Sequence, residues 1–264
     1  MEEKELDSLL ESEPKAKKYV KKFLGADEFI NGKNRYCLWL VGANPKELRE
    51  MPHVMRRIER VKIHREKSTR SATRKLADTP SLFGEIRQSE GVPYLLVPRV
   101  SSENRRYVPI GFLDSSTIAS DATLIVPHAT LYHFAILTSA MHMAWMRAVA
   151  GRLKSDYRYS KDIVYNNFIW SLASPSQQEA IAAKGQAVLD ARALFPSASL
   201  ADLYDPLAMP KELVQAHSQL DAAVDRLYCP DRHFASDAER VAHLFALYEE
   251  RSMSNRLEEK AGGR

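Results

Sequence analysis

The chain has 264 residues, a net charge of +4, 45% hydrophobic and 27% charged side chains, the make-up of one large or two ordinary folded domains. No apolar run reaches the length of a membrane span, Met1-Glu2-Glu3-Lys4-Glu5 is unlike a signal peptide, and Cys37 and Cys229 lie far apart with no Cys/His cluster beside them; a reduced cytoplasmic protein with no membrane contact, disulfide framework or structural metal is expected. Residues 177–264 carry 10 Lys/Arg against 14 Asp/Glu and residues 1–176 carry 28 against 20, with the excess densest over 46–76, which points to a polyanion partner for the first part only.

In chain order, residues 1–24 read as one or two short amphipathic helices broken near Pro14. Arg35–Val41 reads as a buried strand after the turn residues Asn31-Gly32. A helix is predicted from Pro45 to about Glu66, with Leu48, Met51, Met55, Ile58 and Val61 on one face and Pro52 as an alternative start. The run from Arg65 to Lys75 mixes Ser/Thr with Arg65, Lys67, Arg70, Arg74 and Lys75. That is the composition of a phosphate-contacting loop, and equally of a solvated one. Strands follow at Tyr94–Val100, Tyr107–Phe112 and Ala122–Val126, and a polar turn between the first two holds Arg105 and Arg106. Residues 131–149 read as one helix with an apolar stripe of Phe134, Leu137, Met141, Trp145 and Ala148. After Ser174-Pro175 come three amphipathic helices, at 177–194, 211–228 and 236–250, and then a frayed end over Ala261–Arg264.

The stretch from Gly151 through Arg152-Leu153-Lys154-Ser155-Asp156-Tyr157-Arg158-Tyr159-Ser160 to Phe168 is rich in β-branched and aromatic residues and reads as extended chain. Alternation then puts Lys154, Asp156, Arg158 and Ser160 on one face. A donor, an acceptor and a forked donor in a row suit base edges in a major groove. The same row is also what a solvated strand face with a weak Lys154–Asp156 ion pair looks like.

Catalytic chemistry is not legible. There is no glycine-rich phosphate or cofactor loop, no GxSxG elbow and no nuclease-spaced carboxylate cluster. Asn166-Asn167-Phe168 superficially resembles the Asn-Pro-Pro-aromatic loop that holds a flipped adenine, but its prolines are missing, so turn or strand-end residues are expected. His133 and His142 read as structural histidines. An enzyme with an unfamiliar site, for instance His128, His133 and Asp121, stays open as an alternative, as does a protein–protein adaptor built on the acidic C-terminal helices.

Several runs taken together resemble one family. They are Glu28–Gly32 with Arg35–Leu40, Ser101–Glu103 with Arg106–Phe112, Met141–Arg147, Arg152–Ser160 with Val164–Phe168, and Leu203–Pro210. In this order they resemble the C-terminal part of MmeI-like restriction–modification enzymes, over about residues 13 to 250. The resemblance implies an α+β fold: a DNA target-recognition domain of mixed sheet and helix over 1–172, then a helical domain over 173–264. It implies double-stranded DNA as partner, and a methyltransferase/nuclease domain or subunit upstream. S-adenosylmethionine would serve that missing adenine methyltransferase part, with no cofactor in this chain. Carried over by position, Lys154 and Asp156 form one base-reading pair, and Ala122 and Arg158 a second set. Lys with Asp resembles the readers of guanine, and Glu with Arg the readers of cytosine, at the outer base pair of the site.

Overall fold

A computed structural model describes residues 1–87 and 91–262, with side chains to Met253. Gly263 and Arg264, half of the expected frayed end, lie outside the described residues. Helix α1 (Glu3–Ser12) buries Leu6 and Leu9 and stops before Pro14, which opens a 3-10 turn to Tyr19. The next residues make strand β1 (Val20–Leu24) rather than the tail of a helix. It pairs antiparallel with β2 (Tyr36–Leu38) and parallel with β6 (Thr117–Ala119), and this pairing overrides the local helical pattern. Between β1 and β2, helix α2 (Ala26–Asn31) ends on Gly32 at φ +65°, where glycine meets no steric penalty.

The helix expected over 45–66 is two, α3 (Pro45–Arg49) and α4 (Pro52–Glu66), each with proline in its first turn. Glu13, 40 residues upstream, accepts the backbone N–H of His53 and Val54 and so caps α4 from outside. A short helix α5 (Ser71–Lys75) and a 3-10 turn (Leu76–Asp78) follow.

Strand β3 (Tyr94–Pro98) is buried along its whole length, between β5 (Gly111–Leu113) and β7 (Thr123–Pro127), both antiparallel to it. Leu95 and Val97 face the main core, and Tyr94 and Leu96 face a smaller cluster with Ala119. Strand β4 (Val100–Ser101) continues past Pro98 into a different sheet. Of the strand expected over Tyr107–Phe112, only the last two residues are strand; Tyr107–Ile110 are buried chain outside the sheets.

The apolar stripe over 131–149 belongs to two helices, α6 (Leu131–Leu137) and α7 (Ala140–Val149). Ser139 caps the second, its Oγ accepting the His142 N–H, so the chain bends where the stripe reads on unbroken. Beyond Ser174 lie α8 (Pro175–Ala193), α9 (Leu200–Leu203), α10 (Lys211–Tyr228) and α11 (Asp237–Gly262). The architecture is α+β, as expected.

The apolar core does not stop where the chain turns helical. One buried cluster runs from Leu95 and Ile110 through Phe134 and Trp145 to Val188, Leu220 and Leu244. At Gly185 in α8 an added Cβ would stand 2.9 Å from the Ala135 Cβ and 3.1 Å from the Leu131 carbonyl, so α6 and α8 touch backbone to backbone. Polar groups cross the same junction. The Tyr107 hydroxyl donates to Asp221 Oδ2 at 2.6 Å and the Ala140 N–H to Oδ1 at 2.7 Å, while Arg192 donates to the Ile110 carbonyl at 2.7 Å.

Candidate nucleic-acid interface

Helix α7 ends at Val149, and Ala150 swings the backbone to an extended conformation. The next eight residues form a β-hairpin. Strand β8 (Gly151–Leu153) pairs antiparallel with β9 (Asp156–Arg158), Gly151 opposite Arg158 and Leu153 opposite Asp156, and Lys154-Ser155 is the two-residue turn. Lys154 sits at φ +57°, a left-handed conformation that costs a non-glycine residue about 1–2 kcal/mol. Arg152 braces the turn. Its Nη1 donates to the Ser155 carbonyl at 2.6 Å and to Glu103 at 3.3 Å, and its guanidinium lies 3.8 Å from the Tyr157 ring centroid.

This corrects the reading of 151–168 as one strand. Lys154 stands at the apex of a turn, not on a strand face with Asp156, and Ser160 caps a π-helical turn (Lys161–Tyr165) by accepting the Ile163 N–H. Lys-Ser lacks the Asn-Gly or Asp-Gly signature of a hairpin turn; the Arg152 side chain closes it instead. The π-helical turn is held by side-chain donors as well. Trp145 Nε1 donates to the Val164 carbonyl at 2.9 Å, and Asn167 Nδ2 to the carbonyls of Asp162 and Ile163. Asn166 and Asn167 are thus turn residues, as expected.

Part of the alternation survives. Asp156 and Arg158 share the outer face of β9, with their cross-strand partners Leu153 and Gly151 beside them. Gly151, Leu153, Lys154 and Arg158 are exposed, and Asp156 is half-buried. On the opposite face Ser101 is buried next to Tyr157, and beyond them Tyr159 is buried with its hydroxyl 2.8 Å from His142 Nε2. Burial pushes His142 down to about 3, so the ring is neutral. Among the described residues Lys154, Asp156 and Arg158 make no ion pair or side-chain hydrogen bond, so the weak Lys154–Asp156 pair is not formed.

Among the described residues Ala122 is linked to the hairpin only through the backbone of Arg99, a residue the sequence reading passed over, and its own Cβ lies toward Gly25. The Arg99 N–H donates to the Ala122 carbonyl at 3.1 Å, the Arg99 carbonyl accepts the Tyr159 N–H at 2.8 Å, and the next residue, Val100, pairs with Arg158. Arg99 thereby ties the turn before β7 to the hairpin. Nothing in its local sequence marks it, because its neighbours are brought together by two separate strand pairings.

The basic residues named for phosphate contact divide in two. Arg65 donates to the carbonyls of Leu76, Thr79 and Leu82, and Arg74 to those of Ser68 and Thr69, so both brace the chain that follows α4. Lys67, Arg70 and Lys75 are exposed with no side-chain partner among the described residues. Arg105 is half-buried, in the turn that Glu103 connects to the hairpin. Arg106 lies over the Tyr107 ring, 3.9 Å from Asp221.

Residues 1–172 match the model described as the MmeI target recognition domain, and residues 173–255 match that of the MmeI C-terminal domain. The chain belongs to the MmeI family. DNA methyltransferase A of Bacillus subtilis (strain 168) is 44% identical over 237 residues, 90% of this chain. The Type IIL restriction-modification enzyme MmeI, solved in complex with DNA, superposes with a TM-score of 0.93 at 44% identity over 96% of this chain. The chain spans 27% of the first relative and 34% of the second.

The alternative site of His128, His133 and Asp121 does not assemble. Asp121 and His128 lie at opposite ends of β7, with roughly 13 Å of strand between them. His133 is committed to its own helix terminus, where its Nδ1 lies 3.2 Å from the Thr130 N–H and 2.9 Å from Oγ1. No group of three or more His, Cys, Asp or Glu among the described residues could hold a metal ion, and no described helix is long and apolar enough to cross a membrane. At Gly25, between β1 and α2, an added Cβ would meet Glu28 Oε2 at 2.7 Å and Ser120 Oγ at 2.9 Å, so these side chains close over the turn.

Proposed function

We propose that this chain is the sequence-specific, double-stranded-DNA-reading part of an MmeI-type methyltransferase/endonuclease whose catalytic parts, with their S-adenosylmethionine, lie in the portion of the relatives that it does not span. The observation that carries this reading is the hairpin Gly151–Arg158, whose Lys154, Asp156 and Arg158 have no ion pair or side-chain hydrogen bond among the described residues, on a fold that matches a DNA-bound relative. A two-stranded ribbon fits a major groove about 12 Å wide. In this reading Lys154 at the apex donates to guanine O6 and N7, and Asp156, the first residue after the turn, accepts from the N4 amino group of the paired cytosine. Arg158, with Ala122 as the second member of its set, serves the next part of the site in this reading. Lys67, Arg70, Lys75 and Arg105 are the cations available for phosphates.

The test is selection of bound duplexes from a random pool by the purified chain, followed by a salt titration on the winner. A fixed sequence containing one invariant G·C pair is expected, with log K falling steeply against log [salt]. An unenriched pool would overturn the proposal, and salt-insensitive capture of protein partners would favour the adaptor reading instead.

A further inference from the structure

Strand β8 carries two residues that the internal structure does not account for. Leu153 is a large apolar side chain 52% exposed, directly opposite Asp156 and next to Lys154, on the outward face of the hairpin. Gly151 is directly opposite Arg158. Its φ is not positive, and an added Cβ would meet nothing within 4 Å, so neither backbone conformation nor packing calls for glycine there. At the start of β8, a glycine with no internal reason leaves open space through which something outside the chain can come close. A leucine between three free polar side chains offers the contact they lack.

We propose that Leu153 is a further specificity-determining residue. It packs against the C5 edge of the pyrimidine in the base pair beside the one that Lys154 and Asp156 read, and so senses a thymine or 5-methylcytosine methyl group; Gly151 leaves room for the duplex to approach Arg158. This rests on the DNA-reading function proposed above. The chemistry is that of the major groove, where the C5 methyl is the one apolar feature a base pair presents. The β8 edge of the sheet β4-β9-β8 is free to enter that groove, because no further strand pairs with it among the described residues.

The experiment uses the whole chain and the duplex it selects. Every base pair holds one pyrimidine, so each is altered in turn on both strands: thymine to deoxyuridine, cytosine to 5-methylcytosine. One pair, adjacent to the invariant G·C, is expected to change affinity at least threefold with its C5 substituent. Leu153→Ala should remove that dependence and Leu153→Met should keep it, both retaining the G·C preference. Gly151→Leu should weaken binding to the selected site at least tenfold while the free chain melts as the parent does. Sequence-specific binding indifferent to every C5 substituent would overturn the inference and leave the proposed function standing. A chain that selects no sequence would overturn both.

Discussion

At the scale of single residues, the hairpin holds a strained residue at its apex. Lys154 holds φ +57°, where glycine would rest without the steric cost of about 1 kcal/mol or more, offset in part by glycine's greater chain entropy. We predict that Lys154→Gly melts no lower than the parent and loses the guanine preference; a lower melting temperature would show that the lysine side chain supports the fold. The basic segment gives a second contrast. Replacing Lys67, Arg70 and Lys75 together should flatten the salt slope by roughly one unit per lost phosphate contact without altering base preference. Arg65→Ala should instead destabilise the chain by about 1–3 kcal/mol, because three carbonyls lose their donor. Composition revealed that this stretch is basic; it did not reveal which cations the backbone claims.

At the scale of elements, periodicity was a good guide wherever one face meets the core. The helices α8 and α10 lie close to their expected spans, and so does β3, whereas α11 starts as expected but runs on past residue 250 through Ala261 and Gly262, where a frayed end was expected. It failed where a bend leaves the apolar pattern intact, as at Ser139, or where a side chain rather than the backbone sequence makes a turn, as with Arg152 at Lys154-Ser155. It also failed at β1, whose strand partners come from elsewhere in the chain. Of the candidate site, the residues proposed to read bases were named through the family resemblance and their setting was not legible, so a strand face was expected where a turn stands. Buried histidines on α7 and α10 give these elements a pH dependence. Burial holds both His142 and His217 well below the usual histidine range. The unfolded chain therefore binds protons that the folded chain does not. The stability they contribute is complete above a pH of about 6.5 and falls as pH drops below that, for His142 down to about 3, by roughly 1.4 kcal/mol per histidine per pH unit. Urea unfolding at pH 7.5 and 5.5 should show the fall, reduced in His142→Gln. Equal stabilities at the two pH values would contradict it.

At the scale of the whole molecule, two family models meet near residue 172 while a single apolar cluster spans both sides. Tyr107 and Asp221, 114 residues apart, share a buried hydrogen bond across that junction. We therefore predict one cooperative thermal transition for the chain, and no folded product from residues 1–172 alone. Two resolved calorimetric transitions would contradict the shared core. Tyr107→Phe should lower stability by about 1–3 kcal/mol by leaving the Asp221 carboxylate one donor short. The helical part thus serves as the platform on which α7 and the hairpin are fixed, which is the part an acidic scaffold plays in the proposed reading of a polyanion.

The most direct measurement of the central claim is site selection by the parent, by Lys154→Glu, by Asp156→Arg and by the double variant. If the two side chains read the two bases of one pair, the double variant should prefer cytosine where the parent prefers guanine. Each single variant presents two acceptors or two donors to that pair and should bind about 1–3 kcal/mol more weakly, and the double should recover affinity on the exchanged site, a non-additivity expected of residues sharing a partner. Unchanged guanine preference in all four proteins would contradict the account.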